Sequence, residues 1–260
     1  MDQELLTRAE NGVATITFNR PEVMNSVNPA YLYRVIDAVQ KFDDDDSVRA
    51  IVLTGNGRSF CSGGDKAFLR DLTEMTPAQI RRTVYKSFLG TTRAIKLCSK
   101  PTLAALNGPA VGAGCEIAVA CDFRIASSSA FFCENWVDLG IIPPLGGMYL
   151  LPRLIGLERA SNMIMRATRV FAEEAKAIGL ATEVVAPEAL AEAARKFAEE
   201  LASRPRSAIA VAKQGLRRGM EGSLAGEWEF NLQAQAMLIS GPDFAEAIAA
   251  MEEKRKPAFK

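Results

Sequence analysis

Twice along this chain an apolar strand signal runs directly into a glycine-rich turn, and each turn leads toward a helix. The first instance is Ala50-Ile51-Val52-Leu53-Thr54, followed by Gly55-Asn56-Gly57-Arg58-Ser59-Phe60-Cys61-Ser62-Gly63-Gly64-Asp65. The second is residues 102–106, broken by Asn107-Gly108-Pro109, after which Gly112 and Gly114 open the helical run Cys115-Glu116-Ile117-Ala118-Val119-Ala120. A short, continuously apolar run bounded by turn residues fits a strand buried on both faces, and glycine at its exit lets the backbone approach a ligand closely. Repetition of strand, turn and helix predicts an α/β core wound in layers.

The remaining signals are consistent with that plan. Ala14, Ile16 and Phe18 alternate with Val13, Thr15 and Thr17 in the two-residue period of a strand, which Asn19-Arg20-Pro21 ends. Asn28-Pro29 supplies an N-cap followed by proline at the first helical position, and Leu32, Val35, Ile36 and Val39 continue at helical spacing, predicting a helix over 29–42. A helical stretch is expected over 77–97, and strands over 122–126 and 130–133. Beyond Leu145 the chain reads as chiefly helical: Leu190, Ala194, Phe197 and Leu201 mark one amphipathic helix, Pro205 opens another, and 223–239 and 242–254 supply two more. A boundary near Arg204-Pro205 divides the chain into residues 1–204 and 205–260. The acidic run at 43–46 lacks the ligand and glycine spacing of an EF-hand, so a solvated connection is expected there rather than a calcium loop.

Composition narrows the chemistry. The chain has no histidine, which removes Ser-His and Cys-His nucleophile pairs, H-E-x-x-H zinc sites and imidazole bases together. Proton transfer must then use carboxylates, tyrosine, lysine, cysteine or water. Lysine plus arginine equals aspartate plus glutamate at 31 each, so no net charge draws the chain to nucleic acid or an anionic membrane. Five cysteines without a C-x-x-C pair argue against a disulfide framework or a zinc ribbon and read as buried thiols; no metal is expected. No apolar run has the length of a membrane span, and the opening MDQELLTRAE has no cationic stretch followed by an apolar one, so a cytoplasmic location is expected.

Three places can carry chemistry. The two glycine turns put backbone amides behind strands, the second at a helix N-terminus that favours negative charge. Brought together, they would form an oxyanion hole; kept apart, they are two tight turns. Neither matches G-x-x-x-x-G-K-[ST] or G-x-G-x-x-G, which disfavours nucleotide phosphate binding of those kinds. Glu116 is a lone carboxylate in an otherwise small and apolar run, so it either uses its proton affinity or caps neighbouring amides. In Glu134-Asn135-Trp136-Val137-Asp138, an extended backbone would put Glu134, Trp136 and Asp138 on one face. The alternative is a loop with a packed tryptophan and two solvated acids.

Taken in order, Ser59-Phe60-Cys61-Ser62-Gly63-Gly64-Asp65, Lys100-Pro101, Asn107-Gly108 and Gly112-Ala113-Gly114-Cys115-Glu116 resemble the crotonase (enoyl-CoA hydratase/isomerase) superfamily. Asn25-Ser26-Val27, Leu139-Gly140-Ile141-Ile142-Pro143 with Gly146-Gly147, and Met251-Glu252-Glu253-Lys254-Arg255-Lys256-Pro257 extend the resemblance over nearly the whole chain. It implies a crotonase-like ββα spiral core over residues 1–204 and a helical C-terminal trimerisation segment over 205–260, assembled as a trimer or hexamer. It also implies an acyl-CoA thioester whose carbonyl oxygen lies between the backbone amides of Gly64 and Ala113. Coenzyme A contacts fall at Met24, Ser26, Gly63, Asp65, Lys66 and Ala67, beside Trp136, with Lys254 toward the phosphate end. Coenzyme A is part of the substrate, and no separate cofactor is expected.

By the same resemblance, Glu116 matches the first of two glutamates that hold and deprotonate water in the hydratases, while Trp136 stands at the position of the second. An indole donates a hydrogen bond but is no base. Three reactions are consistent with this: Glu116 acting alone as a proton shuttle, Glu134 or Asp138 replacing the missing glutamate with Asp138 ahead, or chemistry akin to chlorobenzoyl-CoA dehalogenases. The last is disfavoured because Pro144 stands where those enzymes carry a nucleophilic aspartate. An acyl-CoA-binding protein with little catalysis, or a divergent activity such as CoA-ester hydrolysis, is the alternative. The acyl pocket is expected to draw on Phe68, Leu69, Tyr85 and Leu89.

Overall fold

The structure, a computed structural model, describes residues 4–259. Strands β1 (Leu5–Glu10) and β2 (Val13–Phe18) form an antiparallel hairpin in which Leu5 faces Phe18. On β2, Ala14, Ile16 and Phe18 are completely buried, as their alternation predicts. Helix α1 (Pro29–Asp44) follows, with the Asn28 carboxamide accepting the Tyr31 amide hydrogen at 3.0 Å as its N-cap. It buries Leu32, Val35, Val39 and Phe42. Strand β3 (Ala50–Gly55) then runs parallel to β2, and helices α2 (Lys66–Leu72), α3 (Pro77–Thr83) and α4 (Leu89–Leu97) precede β4 (Thr102–Leu106).

The next turns repeat one scheme. Strand β5 (Ala110–Val111) leads into α5 (Ala113–Ala120), and β6 (Phe123–Ser127) leads to β7 (Phe131–Cys133). Helices α6 (Gly147–Ile155) and α7 (Leu157–Arg166), β8 (Val170–Phe171), α8 (Ala172–Ala177), β9 (Glu183–Val185) and α9 (Leu190–Ala202) complete the core. A six-stranded sheet has the order β1-β2-β3-β4-β6-β9, parallel throughout except for the β1 edge, and a three-stranded sheet has the order β5-β7-β8. Single parallel bridges, Val27 to Gly64 and Cys61 to Ala110, continue the small sheet into the earlier turns. Each turn of the chain thus lays one strand in the large sheet and a short strand or bridge in the small one, then returns through a helix. This is the ββα spiral that the resemblance implies.

Packing explains why strands β3 and β4 carry no polar alternation. One sheet face, with Ile51, Leu53, Ala104 and Leu106, packs against α1, α4 and α5, and the other, with Val52, Leu103 and Ala105, is covered by Leu190, Ala194 and Ala198 of α9. Burying a leucine or isoleucine side chain contributes about 1.5–3 kcal/mol, so both faces favour unbroken apolar runs. All eight residues of α5 are buried, and its small side chains allow that. All five cysteines are free and buried.

Four local expectations need correction. The weakly patterned strand β1 is missed by periodicity because only Leu5 of its six residues is buried. Helix α2 is a further unforeseen element. Helix α1 takes in Asp43 and Asp44, and Asp43 accepts hydrogen bonds from the Ser99 amide and hydroxyl at 2.9 and 2.6 Å, so the acidic run is partly structural rather than only solvated. The buried Lys100 ammonium donates to the carbonyls of Phe42 and Asp45 and so closes that end of the helix. Finally, residues 135–139 form a 3₁₀ helix, not an extended segment.

Past residue 204 come α10 (Arg206–Gly219), α11 (Leu224–Ile239) and α12 (Pro242–Glu252). Gly215 of α10 allows the Phe230 ring of α11 to approach, a Cβ there standing 3.2 Å from Cε1. Helix α11 nevertheless buries none of its residues, and Leu216, Leu224, Trp228 and Leu232 are each more than 60% exposed. No helix among the described residues is long and apolar enough to cross a membrane.

Candidate active site

The parallel bridges bring the two glycine turns side by side. The Val27 amide donates to the Gly63 carbonyl and the Asp65 amide to the Val27 carbonyl, both at 2.8 Å. Successive amides along an extended segment point to opposite sides, so the Gly64 N–H faces away from Val27. One register further, the Val111 amide donates to the Cys61 carbonyl at 2.9 Å and the Gly112 amide to the Cys133 carbonyl at 2.8 Å. Gly112 has φ +53° and ψ −118°, a conformation that glycine adopts without steric cost. It aims the next amide, that of Ala113, out of the first turn of α5, where no carbonyl four residues earlier takes it. A Cβ on Gly63 would stand 3.6 Å from the Ala113 nitrogen, which measures how closely the turns meet. Gly114 permits that approach, since a Cβ on it would lie 2.2 Å from the Cys61 carbonyl oxygen.

Side chains brace this junction. The Asn25 carboxamide donates to the carbonyls of Asn56 and Ser59 at 2.9 and 2.7 Å, and the Asn107 carboxamide donates to those of Gly57 and Ser59 at 2.8 and 3.0 Å. Asp65 caps α2, its Oδ1 accepting from the Ala67 and Phe68 amides at 2.9 and 3.1 Å. Burial opposes its charge, but the Phe68 amide, Asn28, the Ala67 amide and Arg20 together hold the carboxyl below the usual range. The Asp65 carboxylate thus takes part in the turn's architecture. Met24 and Ser26 run alongside, with the Ser62 amide donating to the Met24 carbonyl at 3.1 Å; Lys66 and Ala67 are exposed at the start of α2. Lys254 is exposed just past α12 and joins none of the hydrogen bonds or ion pairs that tie these residues together.

Glu116 lies in the first turn of α5 and is 1% exposed. Its Oε1 accepts the amide hydrogens of Leu145 and Gly147 at 2.9 and 2.7 Å. It thus caps the start of α6 rather than its own helix, while Oε2 has no partner among the described residues. Burial pushes its pKa up to about 7, against the opposing pull of the Gly147 and Leu145 amides. A carboxylate oriented by two amides, with one oxygen left over and a pKa near neutrality, is equipped to take and return a proton.

The three residues of the 134–138 segment part company. Glu134 is wholly buried, and its Oε2 accepts the Trp136 indole hydrogen at 2.8 Å. Burial and the neighbouring Glu116 carboxyl push its pKa well above the usual carboxylate range. Trp136 is buried, whereas Asp138 is exposed, because the 3₁₀ helix over Asn135–Leu139 turns it away from the shared face that an extended strand would provide. The common face expected for Glu134, Trp136 and Asp138 is thus not formed, and Asp138, expected ahead of Glu134 as the replacement acid, lies exposed while Glu134 is buried.

Gly64 opens onto a cavity of about 910 Å³ whose wall includes Phe68, Leu69, Tyr85, Trp136, Ile141 and Ile142. Phe68 stacks on Phe88 with ring centroids 5.1 Å apart. Arg81 is the one charged residue in that wall. Leu89, expected here, instead faces a smaller hollow beside Leu145 and Tyr149. A π-helical turn over Val84–Phe88 joins α3 to α4 and supplies Tyr85; periodicity over 77–97 reads as one unbroken helix and conceals it. The Leu145 and Gly147 amides also escape sequence reading, since backbone donors leave no residue signature. Among the described residues no three His, Cys, Asp or Glu side chains gather to hold a metal.

Known proteins resemble this chain along nearly its whole length. The sequence profile described as enoyl-CoA hydratase/isomerase matches residues 8–260. A crotonyl-CoA hydratase of Syntrophomonas wolfei is 36% identical over 258 residues, covering 99% of this chain and 98% of that protein. A 1,2-epoxyphenylacetyl-CoA isomerase of Escherichia coli K12 is 33% identical over 260 residues, covering 100% and 99%. The solved structure of an enoyl-CoA hydratase from Bacillus anthracis superposes with a TM-score of 0.92 at 34% identity, covering 99% of each chain.

Proposed function

Since the chain belongs to the enoyl-CoA hydratase/isomerase family of the crotonase superfamily, we propose that it processes an enoyl-CoA thioester through an enolate, with Glu116 as the acid/base. The thioester oxygen is held between the amides of Gly64 and Ala113, which face the space where negative charge develops when a proton leaves C2. Donors fixed before the reaction are worth several kcal/mol there because they need no reorganisation. Glu116 takes a proton from one carbon of the allylic system and returns it to the other, moving the double bond with no net change in atoms. The acyl chain lies in the apolar cavity that opens at Gly64. The coenzyme moiety runs past Met24, Ser26, Gly63 and the exposed Lys66, with Lys254 a candidate for its phosphate end; it belongs to the substrate, and no other cofactor takes part.

The observation carrying this reading is the carboxyl of Glu116: buried, oriented through Oε1 by two amides, and unpartnered at Oε2. Isomerisation leads because it needs only one base, and Trp136, whose indole hydrogen goes to Glu134, is none. Hydration by Glu116 alone is the second reading, favoured by the hydratase names of several relatives. The exposed apolar face of α11 and its neighbours serves self-association, as a trimer or hexamer.

Assays of enoyl-, 3-hydroxyacyl- and 3-oxoacyl-CoA esters with wild type and Glu116→Gln test the proposal. The variant is expected to lose about 10²–10⁴-fold in turnover while still binding the esters. Unchanged turnover would remove Glu116 from the mechanism, and binding of every ester without turnover by wild type would favour a non-catalytic role.

A further inference from the structure

Glu134 is a buried acid that the proposed proton transfer leaves without a task. It follows β7 directly, is completely buried beside the Cys115 thiol, and its Oε2 accepts the Trp136 indole hydrogen at 2.8 Å. The same indole packs on Gly112, where a Cβ would stand 3.7 Å from Cε2 and Cζ2, and it forms part of the cavity wall with Gly64. One ring thus touches the turn that aims the Ala113 amide, the apolar cavity, and a buried acid. The backbone beneath it is a single short 3₁₀ helix closed by left-handed Gly140, which offers little intrinsic rigidity. Indole nitrogen is a donor only. Held on Glu134, it presents no polar hydrogen to the cavity.

We propose that Glu134 is a positioning residue: through this hydrogen bond it fixes the Trp136 indole as the cavity wall beside the Ala113 amide. The inference rests on the reading above that the acyl chain occupies this cavity. What the geometry shows Glu134 doing is accepting the indole hydrogen, with burial and the adjacent Glu116 carboxyl pushing its pKa above the usual carboxylate range. A neutral amide should therefore replace it, since the glutamine carbonyl accepts the same indole hydrogen, whereas leucine of similar size cannot.

The chain has two tryptophans, so Trp228→Phe leaves Trp136 as the sole indole and makes its fluorescence a direct report on the clamp. In that background, octanoyl-CoA, a saturated ester with no double bond to move, is expected to change the emission on binding. Glu134→Gln should keep the emission maximum of the free enzyme and raise KM by no more than about threefold, while Glu134→Leu should shift the emission and raise both KM and the octanoyl-CoA Kd about tenfold. The acid limb of the kcat/KM profile should stay in place in both. Unchanged emission and KM in Glu134→Leu overturns the proposal. So does a Glu134→Gln variant as impaired as Glu134→Leu with a displaced acid limb, which would make Glu134 a proton-transfer group. If Glu134→Leu does not fold, Trp136→Phe replaces it. Adding Glu134→Ala, which alone should raise KM, to Trp136→Phe should then cost nothing more, and additive losses overturn the clamp. Failure of the underlying cavity reading looks different: octanoyl-CoA would leave Trp136 emission unchanged in the Trp228→Phe parent itself, and the inference would fall with it.

Discussion

In its proposed role as the acid/base, Glu116 couples function to stability through one side chain. Burial pushes the pKa of its carboxyl in the folded protein from the ordinary 4.5 up to about 7. As a base it must be ionised, so kcat/KM is expected to rise with pH through about 7; a pH-rate profile flat across that region would remove it as the base. The same shift has an opposite effect on folding. Between 4.5 and about 7 the folded chain keeps a proton that the unfolded chain has released. The stabilising contribution is therefore complete below the lower value and is lost as pH rises through the upper one. The loss amounts to something on the order of 3 kcal/mol. Glu116→Gln should accordingly stabilise the protein against urea at pH 8 more than at pH 5, and equal effects at both would contradict the buried, proton-holding carboxyl. The sequence shows Glu116 as an acid among small apolar residues. That its Oε1 is held by Leu145 and Gly147, some thirty positions on, could not be read there.

Elements decide whether the two turns meet. Strand β4 and helix α5 are legible in sequence because an unbroken apolar run and a small-residue run each have one good burial solution. The 134–138 segment is not, because a 3₁₀ helix and a strand end make similar demands on five mixed residues, and the choice falls to Trp136 packing on Gly112 and bonding Glu134. Ala113 is the first residue of α5, a position where proline is tolerated because its missing hydrogen has no helical partner. Ala113→Pro should therefore fold and yet put a methylene where the proposed oxyanion donor points, lowering kcat/KM by at least about 10²–10³-fold. A folded Ala113→Pro enzyme with undiminished kcat/KM would rule out that amide as a donor. Gly114→Ala acts on packing instead: its Cβ would stand 2.2 Å from the Cys61 carbonyl oxygen. The turns must separate to admit it, and circular dichroism melts should show a marked loss of stability.

At the scale of the whole molecule, α10 to α12 stand out because a core of α/β turns already satisfies itself and these helices do not. Leu216 and Leu232 are 76% and 70% exposed, the kind of apolar face that the proposed self-association would cover. Wild type is expected to sediment as an oligomer, and Leu216→Glu with Leu232→Glu to weaken association by about 10²-fold or more by placing charges in a dry contact. A monomeric wild type at tens of micromolar would refute the assignment. Sequence by itself determined the layered α/β core, the pairing of each strand with a glycine exit, the exclusion of imidazole chemistry and the isolation of Glu116, because these follow from local periodicity and residue chemistry, while the spiral came from the family resemblance. Only the tertiary structure decided that the two glycine turns lie side by side, that Glu134 is buried while Asp138 is exposed, and that the Trp136 indole hydrogen goes to Glu134. Those outcomes depend on which distant groups share a buried space, where each unpaired charge or hydrogen bond carries a large cost.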